Sequence, residues 1–219
     1  MSLLDFARGP ALQAAIAVCA AGSVWRLAGI LLQPGRPDRS PARAGALPAP
    51  LGALYSIVRR MWPRRNFVQA TLFTTVNSYV FHLGLAVVVF GLAAHIVFVR
   101  SLIGVEWAPL PSNLVYGAGV VTLASLMAAL VRRLMDPVTR LLSRADDYLS
   151  WTLTAVPVLT GLMATSHLGA RYETLLAIHL LSVAALLIWF PFGKLMHAVL
   201  FAFSRGATGV RFSRRGVRL

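Results

Sequence analysis

The sequence predicts an all-α integral membrane protein, a five-transmembrane-helix bundle with its N-terminus outside and its C-terminus cytoplasmic. Three observations predict it. Apolar residues make up 58% of the 219 positions, the mean hydropathy is +0.71, and the apolar residues gather in five runs long enough to cross a bilayer. The formal charge of +14 lies between those runs, not along one face of a soluble domain. The cations also fall unequally on alternate connections, which sets an orientation.

The expected spans are roughly 10–32, 79–99, 113–131, 151–168 and 174–201. The last is longer than a bilayer needs, so it should tilt, kink or project. Loop 33–78 is basic and Pro-rich, with Arg36, Arg39, Arg43, Arg59, Arg60, Arg64 and Arg65. Loop 132–150 holds Arg132, Arg133, Arg140 and Arg144, and the end of the chain holds Lys194, Arg205, Arg211, Arg214, Arg215 and Arg218. The other connections hold only Arg8, Arg100 and Arg171, so seventeen cations face three. The positive-inside rule places the seventeen in the cytoplasm, together with a basic tail over 202–219. The setting expected is the bacterial inner membrane, crossed several times, with lipid as the constant partner and no nucleic acid.

Within loop 33–78, Pro34, Pro37, Pro41, Pro48 and Pro50 point to an extended or irregular stretch. Residues 51–62 read equally as a short interfacial helix or as a mobile loop. Cys19 is the single cysteine, which excludes a disulfide framework and a cysteine metal motif. No cleavable secretory signal is expected, and neither a phosphate-binding glycine loop nor a paired-carboxylate site is present. The chain forms one membrane domain without internal repeats.

Four of the five histidines fall within predicted spans: His82 and His95 on the second, His179 and His197 on the fifth. Ionisable residues inside a membrane are costly and mark function more often than packing. Two histidines on each of two helices fit bis-histidine haem, which takes one neutral imidazole from each side of the ring. The two spans run antiparallel, so His82 pairs with His197 at the cytoplasmic level and His95 with His179 at the outer level. On continuous helices the fit is uneven. His179 and His197 are 18 residues apart, five whole turns, and share a face about 27 Å apart. His82 and His95, 13 residues apart, would point about 140° away from each other. Gly84 and Gly91 lie where distortion or close approach could be absorbed.

The segment Phe190-Pro191-Phe192-Gly193-Lys194-Leu195-Met196-His197, preceded by His179, and the tetrad Phe81-His82-Leu83-Gly84 resemble the gamma subunit of membrane-bound respiratory nitrate reductase. Related quinone-linked cytochrome b subunits share these features. The third span, followed by Asp136-Pro137, is similar too, and the likeness covers about 78–200. The resemblance implies a five-helix cytochrome with two haem b groups, ligated by His82, His95, His179 and His197. It further implies exchange with the quinone pool at the outer side and an iron–sulfur subunit docked on the cytoplasmic face. The chain would then be the quinol-oxidising or quinone-reducing membrane subunit of a larger oxidoreductase. Arg100, Ser112, Asn113, Tyr116 and His167 are the candidates for the quinone pocket. The alternatives are a histidine-containing transporter and a haem-free membrane anchor.

Overall fold

In lipid, a backbone satisfies its polar groups only within itself, so apolar runs of this length become helices. The computed structural model describes residues 1–35 and 39–217, and all regular structure among the described residues is helical. Among the described residues, five helices are long and apolar enough to cross a membrane: Leu3–Leu31, Arg65–Gly91, Ser112–Met135, Ala145–Ser166 and Tyr172–Trp189. Arg36 and Pro37 of the basic loop and Arg218 of the tail lie outside the described residues.

The first span opens with α1 (Leu3–Phe6), capped reciprocally by Ser2 and Asp5. It passes Pro10 through one π-helical turn and continues as α2 (Leu12–Leu31). A short helix, α3 (Ala49–Arg59), follows, with Pro50 in its first turn, where no N–H is missed. A 3-10 turn at Arg65–Phe67 leads into α4 (Val68–Gly91).

The second span differs from the sequence expectation at both ends. It begins well before residue 79 because the polar groups of its first turns find partners: Thr71 donates to Phe67 O at 2.8 Å, and Asn77 exchanges hydrogen bonds with Ser125. It stops at Leu92, whose backbone is extended (φ −74°, ψ 125°), and a separate helix, α5 (Ala93–Ile103), carries the rest. Donors from the following loop meet the carbonyls freed at the break, Trp107 Nε1 reaching Phe90 O at 2.6 Å and Leu110 N reaching Gly91 O at 3.0 Å. A Cβ at Gly91 would lie 2.8 Å from Leu110 Cδ1, so glycine is what lets that loop close.

Helix α6 (Ser112–Met135) ends at Asp136, which caps α7 (Pro137–Leu142). Hydrogen bonds from the hydroxyl and N–H of Thr139 hold the Asp136 carboxyl below its usual range. Helix α8 (Ala145–Ser166) ends at His167 in the left-handed region (φ 55°), and α9 (Tyr172–Trp189) follows.

The fifth span is likewise broken. Buried Pro191 cannot donate to the helix ladder, and after Gly193 the chain makes a 3-10 turn, Lys194–Met196, before α10 (His197–Arg215) starts. The stretch expected as a basic tail is therefore mostly helix, and the loop expected over 33–78 contains α3, which packs along α10. Small residues make that contact: a Cβ on Gly52 would lie 3.3 Å from Gly209 O.

The long helices form an open arc in which α2 packs on α9, α9 on α8, α8 on α6 and α6 on α4. Its inner contacts use small and polar residues, with Thr122, Ser125, Ser150, Thr154 and Thr160 buried. Its outer surface carries large apolar residues such as Leu83, Phe90, Val120 and Leu159. Polar groups inward and bulky apolar groups outward is the pattern of helices packed within lipid. Among the described residues, α4 and α9 are not a packed pair along their length.

Candidate functional site

The two helix breaks decide where the histidines point. His82 sits within α4, while His95 lies on α5, just past the extended residue Leu92. His179 is in α9, and His197 is the first residue of α10, past the Pro191 break. The rings of His82 and His197 lie with centres 6.0 Å apart, those of His95 and His179 6.3 Å apart. The first pair is exposed at the open side of the arc, and the second is half-buried.

The angular offset expected between His82 and His95 on a continuous helix does not arise, because the break at Leu92 turns α5 relative to α4. The shared face of His179 and His197 is not a matter of five helical turns either, since the helix between them is interrupted.

All four rings are tethered through Nδ1. His82 Nδ1 lies 2.7 Å from Ser78 O, His95 Nδ1 3.0 Å from Val88 O, and His197 Nδ1 2.8 Å from Lys194 O. A carbonyl only accepts, so each of these nitrogens donates. The break at Leu92 serves His95 twice. It turns the ring, and it leaves Val88 O with only a long 3.4 Å bond from Leu92 N. His179 Nδ1 lies 3.3 Å from Thr160 Oγ1, whose own hydrogen goes to Val156 O at 2.8 Å. That hydroxyl therefore accepts from His179. His179 also hydrogen-bonds to the Pro157 backbone, while among the described residues no hydrogen bond reaches Nε2 of His82, His95 or His197, so each of those three presents a lone pair. Fixing one ring nitrogen as donor to free the other as ligand is the usual outer support of a metal-bound histidine.

No three His, Cys, Asp or Glu side chains gather among the described residues; the histidines gather in twos. A haem brings four nitrogens of its own and asks the protein for two. With a metal–nitrogen bond of about 2.0 Å and about 1.1 Å more to the ring centre, two imidazoles trans across one ion have centres about 6.2 Å apart. Both pairs fit that distance.

A cleft of about 250 Å³ contains His95 and His179 and is otherwise mostly apolar, with Val88, Leu92, Phe98 and Leu162 on its walls. Gly161 makes room for the His179 ring, since a Cβ there would sit 3.1 Å from its Cε1. Of the quinone-pocket candidates, Tyr116 lines this cleft. Arg100 is paired instead with Glu106 at 2.7 Å, and Ser112 and Asn113 do not line the cleft. His167 lies outside it, its ring 5.3 Å from that of Tyr172, which does line it. The sequence reading missed Thr160 and Gly161. Residue spacing within one helix carries no signal for groups that α6, α8 and α9 bring together.

A protein of Nitratidesulfovibrio vulgaris (strain Hildenborough) is 30% identical to this chain over 217 residues, 96% of this chain and 94% of that protein. The chain belongs to that protein's family. The relative is described only as "Protein", which states no activity. No family model and no solved structure matches the chain.

Proposed function

We propose that this chain is a di-haem b-type cytochrome, the membrane subunit of a respiratory oxidoreductase that exchanges electrons between the quinone pool and an iron–sulfur partner. The observation that carries the proposal is the pair of imidazole pairs at 6.0 and 6.3 Å, each ring tethered at Nδ1. His82 and His197 hold one haem b, and His95 and His179 the other. The likeness of Phe190 to His197 and Phe81 to Gly84 to nitrate reductase gamma subunits agrees with this assignment.

Bound at both levels, haem iron supplies a one-electron couple at each, joining a quinone in one half of the membrane to a partner at the opposite face. The residues of this chain set ligation, orientation and burial. The half-buried pair sits in an apolar cleft open to membrane-dissolved molecules, with Tyr116, Thr165 and Tyr172 contributing hydroxyl groups. The exposed pair sits beside the cationic end of the molecule, next to Lys194 and α10.

The seventeen-to-three cation asymmetry supports an orientation with that end in the cytoplasm, and the setting we infer is a bacterial inner membrane. There Arg205, Arg211 and their neighbours meet an acidic lipid surface and the iron–sulfur subunit. A reporter active only outside the cytoplasm is expected to be silent at the C-terminus and active when inserted at Glu106. The reverse pattern would invert the two levels.

The direct test is a dithionite-reduced minus oxidised spectrum of the purified protein, with haem extracted and counted. Two b-type haems per chain are expected, while a transporter or bare anchor would show none. Electron paramagnetic resonance should then separate the two. The rings of His82 and His197 are 87° apart in plane, those of His95 and His179 only 18°. Perpendicular imidazoles leave two iron d orbitals nearly degenerate and give a strongly anisotropic signal with high g-max. Near-parallel rings split those orbitals and give a rhombic signal. Two rhombic signals of equal g-max would contradict the ring geometry.

A further inference from the structure

The break between α9 and α10 aims His197, and side chains lash that break to the start of α8. Lys194 Nζ lies 2.6 Å from Asp147 Oδ1, and Trp189 Nε1 donates to Ser150 Oγ at 3.1 Å. The Asp147 side chain is only 8% exposed. It also accepts the Arg144 backbone N–H at 3.0 Å and meets Arg133 Nη1 at 3.3 Å. A carboxylate held from three directions is a fixed post. Lys194 in turn opens the three-residue 3-10 turn, and its carbonyl is the acceptor of His197 Nδ1. One residue thus carries both an ammonium anchored on α8 and the oxygen that orients the ring. So short a turn has weak bonds of its own, and its carbonyl direction depends on what ties it down.

We propose that Asp147 is a positioning residue for His197, fixing the plane of that imidazole through Lys194 and so setting its angle to His82. The proposal rests on the haem reading above. Arg133 reaches the turn that carries His197 only through Asp147, and without it the carboxylate keeps the Arg144 N–H and the shorter Lys194 contact, so the ring stays in place. The 87° angle is already close to perpendicular. Any rotation of His197 therefore moves the pair toward parallel and lowers g-max.

The test is electron paramagnetic resonance and redox titration of the purified full chain in four variants: Asp147→Asn, Lys194→Gln, Arg133→Gln and Asp147→Glu. Asp147→Asn and Lys194→Gln are both expected to lower g-max of the His82/His197 component, in the same direction. The His95/His179 signal serves as internal standard and stays unchanged. Arg133→Gln should leave both signals alone, and Asp147→Glu should restore the first. A mere charge effect would act differently, because removing an anion and removing a cation shift the midpoint in opposite directions without altering g-max. That pattern would overturn the proposal. So would unchanged signals in both variants, which would mean that buried Pro191 and Met196 hold the turn unaided. If Asp147→Asn does not fold, Lys194→Gln decides alone. A wild-type chain with no haem would sink the haem reading itself, whereas normal signals in the variants beside a two-haem wild type would sink this proposal only.

Discussion

Replacing His82 or His197 with alanine is expected to abolish one and the same haem component, and replacing His95 or His179 to abolish the other. Each substitution removes one of the two protein ligands of an iron, and among the described residues no third His, Cys, Asp or Glu stands by either pair to take its place. The loss should be close to complete for the affected component, which halves the haem content. The spared component should keep its own resonance signal, the anisotropic one in the His95 and His179 variants and the rhombic one in the His82 and His197 variants. Titration of the four variants gives the pairing directly. Loss of the same component from His82→Ala and His179→Ala would break it.

Gly84→Val should be the most damaging change away from the ligands. Gly84 lies half a turn from His82, where α4 crosses α6. A Cβ there would run into Thr122 Oγ1 and lie 3.3 Å from Ala118 O. Thr122 cannot turn aside cheaply, being buried, β-branched and bonded to Ala118 O at 2.7 Å. The helices must separate, and overpacking of this kind costs about 1–3 kcal/mol. Because α4 carries His82 directly and His95 through α5, both haems should bind more weakly and the melting temperature in detergent should fall. Gly117→Val on the same helix pair makes a fair control, since nothing lies within 4 Å of a Cβ there. Equal behaviour of the two variants would remove the packing argument.

Five apolar helices and their approximate positions were legible in the sequence, because hydropathy is a sum over local residues and lipid permits few other structures. Of the four histidines expected within spans, His82 and His179 lie in the long apolar helices, whereas His95 and His197 lie just past the breaks, outside them. The second span was placed too late because Thr71 and Asn77 read as polar, though each is satisfied by a backbone or a neighbouring helix. The fifth was read through its break because the residues around Pro191 are apolar enough to continue a span. Composition does not record the orientation of a helix on either side of an extended residue.

What the sequence by itself determined is the membrane class, the number of long apolar helices and the sharp clustering of its cations. Each follows from the residue types present over some twenty consecutive positions. The tertiary structure alone decided where each imidazole points, which nitrogen it leaves free and what walls the cleft around it. The break at Leu92 is closed by Trp107 and Leu110, the Thr160 hydroxyl comes from another helix than His179, and Lys194 is anchored on Asp147, 47 positions earlier. Those contacts join residues that no local window holds together. The angle between two rings depends on all of them at once.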